Sequence, residues 1–306
     1  MSRTSRMHLA PIAAVLLGLV SIQGTAAPAQ QCERKCLEGF VDKYLAALTA
    51  RDATLAPLSK DIRFTENTVQ LNLRQGLWDG ATALGKLKIY VADPYSQQAG
   101  YIGTIVENGV TRLFAARLKI YNGEIAEIET IVPRNGMTTV EPAADLAEHT
   151  AHPIFSEALK PSERRSRPEL VAAANLYFEG MDRNSSEGVP FDASCNRHEN
   201  GVQTTNNPTR NSIAALSCKG QFDKGEFTWT VPERYFWMVD EERGLVFGSF
   251  VFRSQLPKDP ASVPAGARRF LAQTPIVELF KIKEGRIYQI EAALGPRVPY
   301  GQRSGW

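Results

Sequence analysis

The chain repeats itself, and the repeat restricts its possible folds more than any other feature. Tyr44 and Tyr177 stand 133 positions apart. The same offset pairs Leu37 with Leu170, Pro57 with Pro190, Glu66-Asn67 with Glu199-Asn200 and Val69-Gln70 with Val202-Gln203. A second match follows in the same order: Lys119 to Glu129 faces Lys281 to Glu291, with six of eleven residues identical. Two matches in one order mark a duplication, so one architecture has to be built twice. Glu66 and Glu129 lie 63 positions apart, Glu199 and Glu291 lie 92 apart, and the second half therefore carries 29 extra residues. The loop-like stretches 206–211 and 254–267 are the expected hosts.

The first thirty residues stand outside the repeat. Arg3 and Arg6 precede an apolar stretch from Leu9 to Ile22, and Ala27-Pro28-Ala29 supplies an Ala-x-Ala site. This is the pattern of a signal peptide cut after Ala29; a short membrane anchor is the alternative. The expected organisation is a signal peptide over 1–29, a first domain over 30–141, a linker over 142–167 and a second domain over 168–306. An exported chain enters an oxidising space, periplasmic or extracellular, where cysteines pair. Cys195 and Cys218 fall in one half, on what read as neighbouring strands, and form the favoured disulfide. Cys32 and Cys36 are four apart, which suits a bond only if Cys32 lies at or before the helix start.

Each half reads as a helix followed by strands. Cys36, Leu37, Phe40, Val41, Tyr44, Leu45 and Leu48 recur at helical spacing, as do Leu170, Ala173, Ala174, Tyr177, Phe178 and Met181. Asn108-Gly109 and Asn122-Gly123 signal tight hairpins, with Glu284-Gly285 at the matching turn of the second half. Helix first and antiparallel meander after is an α+β pattern. Lys and Arg total 35 against 33 Asp and Glu, a net charge of +2, which supplies no field for nucleic acid. Dinucleotide, phosphate-loop and nucleophile-elbow motifs are missing from the sequence, so an enzyme here is expected to need no cofactor. His149-Thr150-Ala151-His152 has ligand spacing without an obvious third ligand, and no metal is expected.

Cys36-Leu37, Glu66-Asn67, Gly76-Leu77-Trp78, Ala92-Asp93-Pro94, Arg117-Leu118-Lys119 with Glu127-Ile128-Glu129, and Cys195 to Gly201 carry a family resemblance. The chain resembles the nuclear transport factor 2-like superfamily, with its SnoaL-like and ketosteroid isomerase-like domains. More narrowly, it is similar to a secreted domain family of unknown function found in fungi and bacteria. The resemblance implies two tandem cones, each a curved antiparallel sheet wrapped around N-terminal helices, with a pocket inside. It also implies a small-molecule partner and, because such sheets often pair face to face, a homo-oligomer. After signal cleavage no membrane contact is expected.

In the ketosteroid isomerase-like group an Asp general base sits where this chain has Asn67 and Asn200, with Glu66 and Glu199 one residue earlier. Asn cannot take a proton at neutral pH. The other reading is that Asn caps a turn while Glu pairs with an Arg such as Arg117. His198 is the one histidine within a domain body, and Thr65 stands at its place in the first half. Strand alternation puts His198 with Asn200 on one face and Arg197 with Glu199 on the other. The expected catalytic set is therefore His198, Asn200, Tyr177, Glu199 and Glu66, with His198 moving the proton. Asn67, Tyr44, Trp78, Tyr101, Arg117, Arg197, Tyr235, Trp237 and Asp240 are the expected ligand-binding residues, Tyr235 to Trp237 forming an apolar wall. Asp93 and Asp240 also suit turn openings. The function expected is an exported lyase or isomerase using general acid–base chemistry on a small apolar or aromatic metabolite. The alternative is a non-catalytic binding or assembly protein with the same tandem fold.

Overall fold

Leu37, Val41, Tyr44, Leu45 and Leu48 form one apolar stripe, and the helix that carries them, α1 (Arg34–Ala50), buries all five. A computed structural model describes residues 31–255 and 272–299. The expected signal peptide lies outside the described residues, as does most of the expected insertion at 254–267. In the first half α1 is followed by β1 (Leu58–Glu66), β2 (Val69–Gln70), a one-turn α2 (Leu77–Gly80), β3 (Ala81–Asp93), β4 (Gln98–Glu107), β5 (Val110–Tyr121) and β6 (Glu124–Ile131). The second half runs α3 (Arg167–Arg183), β7 (Phe191–Glu199), β8 (Val202–Gln203), α4 (Cys218–Lys224), β9 (Trp229–Asp240), β10 (Leu245–Ser254), β11 (Ala272–Lys283) and β12 (Arg286–Leu294). A short β13 (Val298–Pro299) pairs with β11.

The two sheets have one topology. Their orders are β2-β1-β6-β5-β4-β3 and β8-β7-β12-β11-β10-β9. The registers match too: Thr65 pairs with Glu129 as His198 pairs with Glu291, and both long hairpins shift register at one place, Lys119/Ile120 and Lys281/Ile282. The expected antiparallel sheet needs one correction. β1–β6 and β7–β12 are parallel, because the four-strand meander returns its last strand beside the first in the same direction. The Asn-Gly hairpins form as expected, with Asn108, Gly109, Asn122 and Gly123 all at positive φ, and Glu284-Gly285 matches them.

At the first expected place, residues 204–228, which include α4, stand where the first half has residues 71–80. Cys195 bonds Cys218 and Cys32 bonds Cys36. Cys218 opens α4 rather than lying on a strand, so the bond ties the insertion to β7. Cys32 precedes α1, where the chain is not yet helical. Among the described residues no helix is long and apolar enough to cross a membrane.

Each sheet covers its helix with one face and meets the other sheet with the opposite face. Leu87, Ile89, Val91, Ile102 and Leu113 of the first half pack with Met238, Leu245, Phe247, Val277 and Leu279 of the second. The approach is close at Gly100, where an added Cβ would come within 2.7 Å of Met238. The stretch expected as a linker is packed as well, with Leu146, Phe155 and Leu159 buried. Two ion pairs close the rim of this seam in a pseudo-twofold way. Arg34, the first residue of α1, makes a bidentate contact with Asp240 at the end of β9. Arg167, the first residue of α3, reaches Asp93 at the end of β3 at 2.5 Å. Arg34 and Arg167 are themselves 133 positions apart.

Both aspartates are 1% exposed at the side chain, so losing an arginine leaves a buried carboxylate without its cation, held only by hydrogen bonds from Tyr95, Ser96 and Val239 to Asp93 or from Arg243 to Asp240. Breaking such a pair costs about 3 kcal/mol. Arg34→Ala or Arg167→Ala should lower stability by about that amount, whereas Lys60→Ala, at an exposed pair, should cost less than about 1 kcal/mol. Urea unfolding midpoints check both.

Candidate functional site

The second cone holds a polar cluster at the base of an aromatic core. β7 ends in Arg197-His198-Glu199, and alternation sends Arg197 and Glu199 to the helix face. Arg197 is 7% exposed. Its Nη1 donates to the Tyr177 hydroxyl at 3.0 Å, its Nη2 to Gln221 Oε1 at 2.6 Å and its Nε to Thr204 Oγ1 at 3.1 Å. Glu199 Oε1 lies 3.3 Å from the same Nε. Gln221 comes from α4; its own amide donates to the Thr204 and Ile213 carbonyls, which turns its oxygen toward Arg197. Phe178, Phe191, Phe222 and Phe280 surround Tyr177.

Glu278 completes the cluster. Pairing places Glu199, Ala292 and Glu278 in one row across β7, β12 and β11, so the two carboxyl groups share a face with only a methyl between them. Glu278 is 1% exposed, and its Oε2 has no hydrogen-bond partner among the described residues. Burial, then the nearby Glu199 charge, pushes its carboxyl up to about 8, with Arg197 opposing. Glu278 thus holds a proton at neutral pH beside the Arg197–Glu199 pair. Burial also raises the Tyr177 hydroxyl above its ordinary range.

A cavity of about 630 Å³ opens from this cluster. Arg197, Glu199, Thr204 and Gln221 form its polar part, and Met181, Trp229, Phe252, Ile276 and Leu294 its apolar walls. The size suits a small-molecule ligand.

The first cone diverges at the same positions. Phe64 stands where the register has Arg197, and Ala116 where it has Glu278. Tyr44 and Trp78 pack edge to face at 5.9 Å in an apolar core, and among the described residues neither the Tyr44 hydroxyl nor Trp78 Nε1 has a hydrogen-bond partner. Glu66 accepts from the Leu77 N–H at 2.7 Å and pairs with Arg134 at 2.8 Å. Gly76 makes room for that carboxylate, since a Cβ there would lie 2.4 Å from Glu66 Oε2. The expected partner was Arg117, which instead bonds Gln98, Glu127 and Glu129 and lies 4.5 Å over the Trp237 ring at the seam.

Several expected site residues are placed apart. Tyr177 joins Arg197, not His198. Asn67 and Asn200 both sit at positive φ in turns and exchange hydrogen bonds with strand-end backbone, Val132 and Leu294 respectively. Asn200 also donates to the Val140 carbonyl at 2.6 Å, so its amide is spent on the fold. Tyr101 is buried between Tyr90 and Phe114. Tyr235 and Trp237 stack on the seam side of β9, and Phe236 between them faces the cone, against Phe178 and Phe250. Asp240 belongs to the ion pair with Arg34. Alternation separates these faces correctly, but only packing shows which face is inside.

His198 faces outward into a depression beneath residues 141–153, together with His149, His152 and Glu291. Its Nδ1 accepts from Gln289 Nε2 at 2.9 Å, which requires a neutral ring. Burial, then the two neighbouring histidines, lowers its pKa to about 4. Among the described residues no group of three His, Cys, Asp or Glu side chains is arranged to hold a metal ion. Glu278 and Gln221 were not among the expected residues. Glu278 had one visible signal, a lone acid inside the apolar run Ile276-Val277-Glu278-Leu279-Phe280; nothing in the sequence pointed to Gln221.

Comparison with known proteins meets this half of the molecule. Residues 163–294 match a domain of unknown function, DUF8021. That match includes Cys195 to Gly201; the first-half motifs lie outside it. No curated protein matches the chain. Among solved structures, similarity is found to SalBIII, described as an epoxide hydrolase/cyclase-like enzyme in pyran ring formation in the polyether salinomycin. It shows 13% identity over 42% of this chain and 93% of that chain, with a TM-score of 0.31. AusH from Aspergillus nidulans shows 13% identity over 42% and 85%, TM-score 0.29. A de novo designed protein with a curved β-sheet shows 10% identity over 43% and 89%, TM-score 0.28. Each covers a length close to one half of this molecule.

The buried acids set a pH dependence. Burial raises Glu129 to about 7 and Glu291 and Glu278 to about 8. Their unfolded forms ionise near ~4.5, so the folded state binds more protons between about pH 4.5 and 8 and loses stability as pH rises through that window. His198 acts oppositely: its stability is full above about pH 6.5 and is lost toward pH 4. With three acids against one histidine, thermal midpoints should fall from pH 6.5 to 8.5, and Glu291→Gln should flatten that slope.

Proposed function

We propose that the second cone is the working half and that it catalyses a cofactor-independent proton transfer, as a lyase or isomerase on a small, largely apolar metabolite. The observation that carries this reading is an ionisable cluster buried at the base of an apolar-walled cavity. A simple binding pocket has no need to hold a carboxyl such as Glu278 protonated beside a paired Glu199.

Glu199 is the member of the carboxyl pair that reaches the cavity, and it takes the role of general base. The removed proton lies next to an electron-withdrawing group on the ligand. Returned to a neighbouring atom it completes an isomerisation; accompanied by loss of a leaving group it completes an elimination. Arg197 holds Glu199 in place and supplies positive charge to the negative charge that develops on the ligand. Glu278 is the reserve acid behind them, and Tyr177 positions Arg197. Export to an oxidising compartment fits the two disulfides.

The first cone, with Phe64 and Ala116 in place of Arg197 and Glu278, is a scaffold in this reading. His198 has a structural part under the 141–153 strap, not the proton-transfer role expected for it. Wild-type protein should convert at least one member of a metabolite library, followed by mass and by chromatographic retention so that isomers are seen. Glu199→Gln and Glu278→Gln should each slow that conversion about a hundredfold or more, and His198→Ala should change it less than about threefold. Loss of conversion in His198→Ala with full conversion in Glu199→Gln would reverse the assignment.

A further inference from the structure

The charges that line the second cone's cavity do not balance. Four cations face it, Arg197, Arg210, Lys224 and Arg297, against two carboxylates, Glu199 and Glu226. Both carboxylates are already paired: Glu199 with Arg197 at 3.3 Å, and Glu226 with Lys224 at 3.3 Å. That leaves Arg210 and Arg297, both exposed at the rim, in no ion pair among the described residues. Below them the walls are Met181, Trp229, Phe252 and Ile276, and the floor is the Arg197 cluster. A molecule filling this space would therefore meet two exposed, unneutralised guanidinium groups, apolar and aromatic walls, and the buried hydrogen-bonding groups of the Arg197 cluster.

We infer that the cavity selects an amphiphilic anion: a small molecule with an apolar or aromatic body and one carboxylate, sulfonate or similar group held at the mouth by Arg210 and Arg297. This rests on the reading of the cavity as the substrate site and adds the substrate's class. The geometry has a chemical reason. An anion bound at the floor would lie against the Glu199 carboxylate, which repels it, while the one cation there, Arg197, is already paired with Glu199. Placed at the rim, its charge is matched by the guanidinium groups of Arg210 and Arg297, which no carboxylate among the described residues pairs. The rim arginines also raise the rate of encounter with anions, an effect that salt screens.

Two fluorescent dyes of nearly identical body separate the charge from the apolar contact: anilinonaphthalene sulfonate, an anion, and N-phenylnaphthylamine, its neutral counterpart. Titrated into the full chain at low salt, the anion should bind about tenfold more tightly than the neutral dye. The preference should shrink to within about threefold at high salt and in the double variant Arg210→Gln/Arg297→Gln. Both substitutions are at exposed positions, so folding is preserved and thermal midpoints verify it. Equal affinity for the two dyes in the wild type overturns the inference, as does a preference that survives in the double variant, or no saturable binding of either dye. The catalytic reading fails separately. A protein that keeps the dye preference but converts nothing in the metabolite library retains the ligand class and loses the proton-transfer assignment.

Discussion

The seam between the two sheets is the constraint on which the rest of the molecule depends. Each sheet has two apolar faces, one covered by its own helix and one that would otherwise lie bare. Leu87, Ile89 and Ile102 on one side and Phe247, Val277 and Leu279 on the other bury those second faces against each other. Exposed, strips of that composition would bind other surfaces without selectivity. The packing is therefore the internal counterpart of a twofold dimer contact, made within one chain by duplication. The Arg34–Asp240 and Arg167–Asp93 pairs fix its angle, because each guanidinium extends from the first residue of a helix to the other half's sheet. The second apolar face of each sheet is thereby covered inside the chain.

With the seam holding both halves, the two cones were free to differ. The first closes over Tyr44, Phe64 and Trp78 and uses its conserved-in-register Glu66 to hold the Leu77 N–H. The second replaces Phe64 by Arg197 and Ala116 by Glu278, and a buried cation and a buried acid need hydrogen-bond partners. The insertion supplies them: α4 brings Gln221 and the chain before it brings Thr204. The Cys195–Cys218 bond joins that insertion to the strand carrying Arg197, so the support and the supported group are covalently linked two residues away. The polar cluster, the insertion and the disulfide form one unit that the first half lacks.

Much of the architecture was legible because it is local or periodic. The 133-residue offset announced two copies of one fold, helical spacing located α1 and α3, Asn-Gly located hairpins, and the cysteines were placed in their actual pairs. The site was less legible. Alternation along β7 correctly put Arg197 and Glu199 on one face and His198 on the other, but the ordinary pKa of a histidine made His198 the expected proton-transfer group. The fold turned that face toward the strap, where burial pushes the ring down to about 4. The same half-turn exchanged Tyr235 and Trp237 for Phe236 as the wall of the cone.

The sequence by itself determined the duplication, the order of elements and the hairpin turns, and favoured the Cys195–Cys218 bond, since each depends on residues close in the chain or on a regular repeat. Only the tertiary structure decided which face of each sheet is inside, which aspartate meets which arginine across the seam, and that Glu278 shares a sheet row with Glu199. Those are contacts between residues far apart in sequence. A period of two along a strand states that neighbours point to opposite sides, but which side is buried depends on the helix or sheet that covers it.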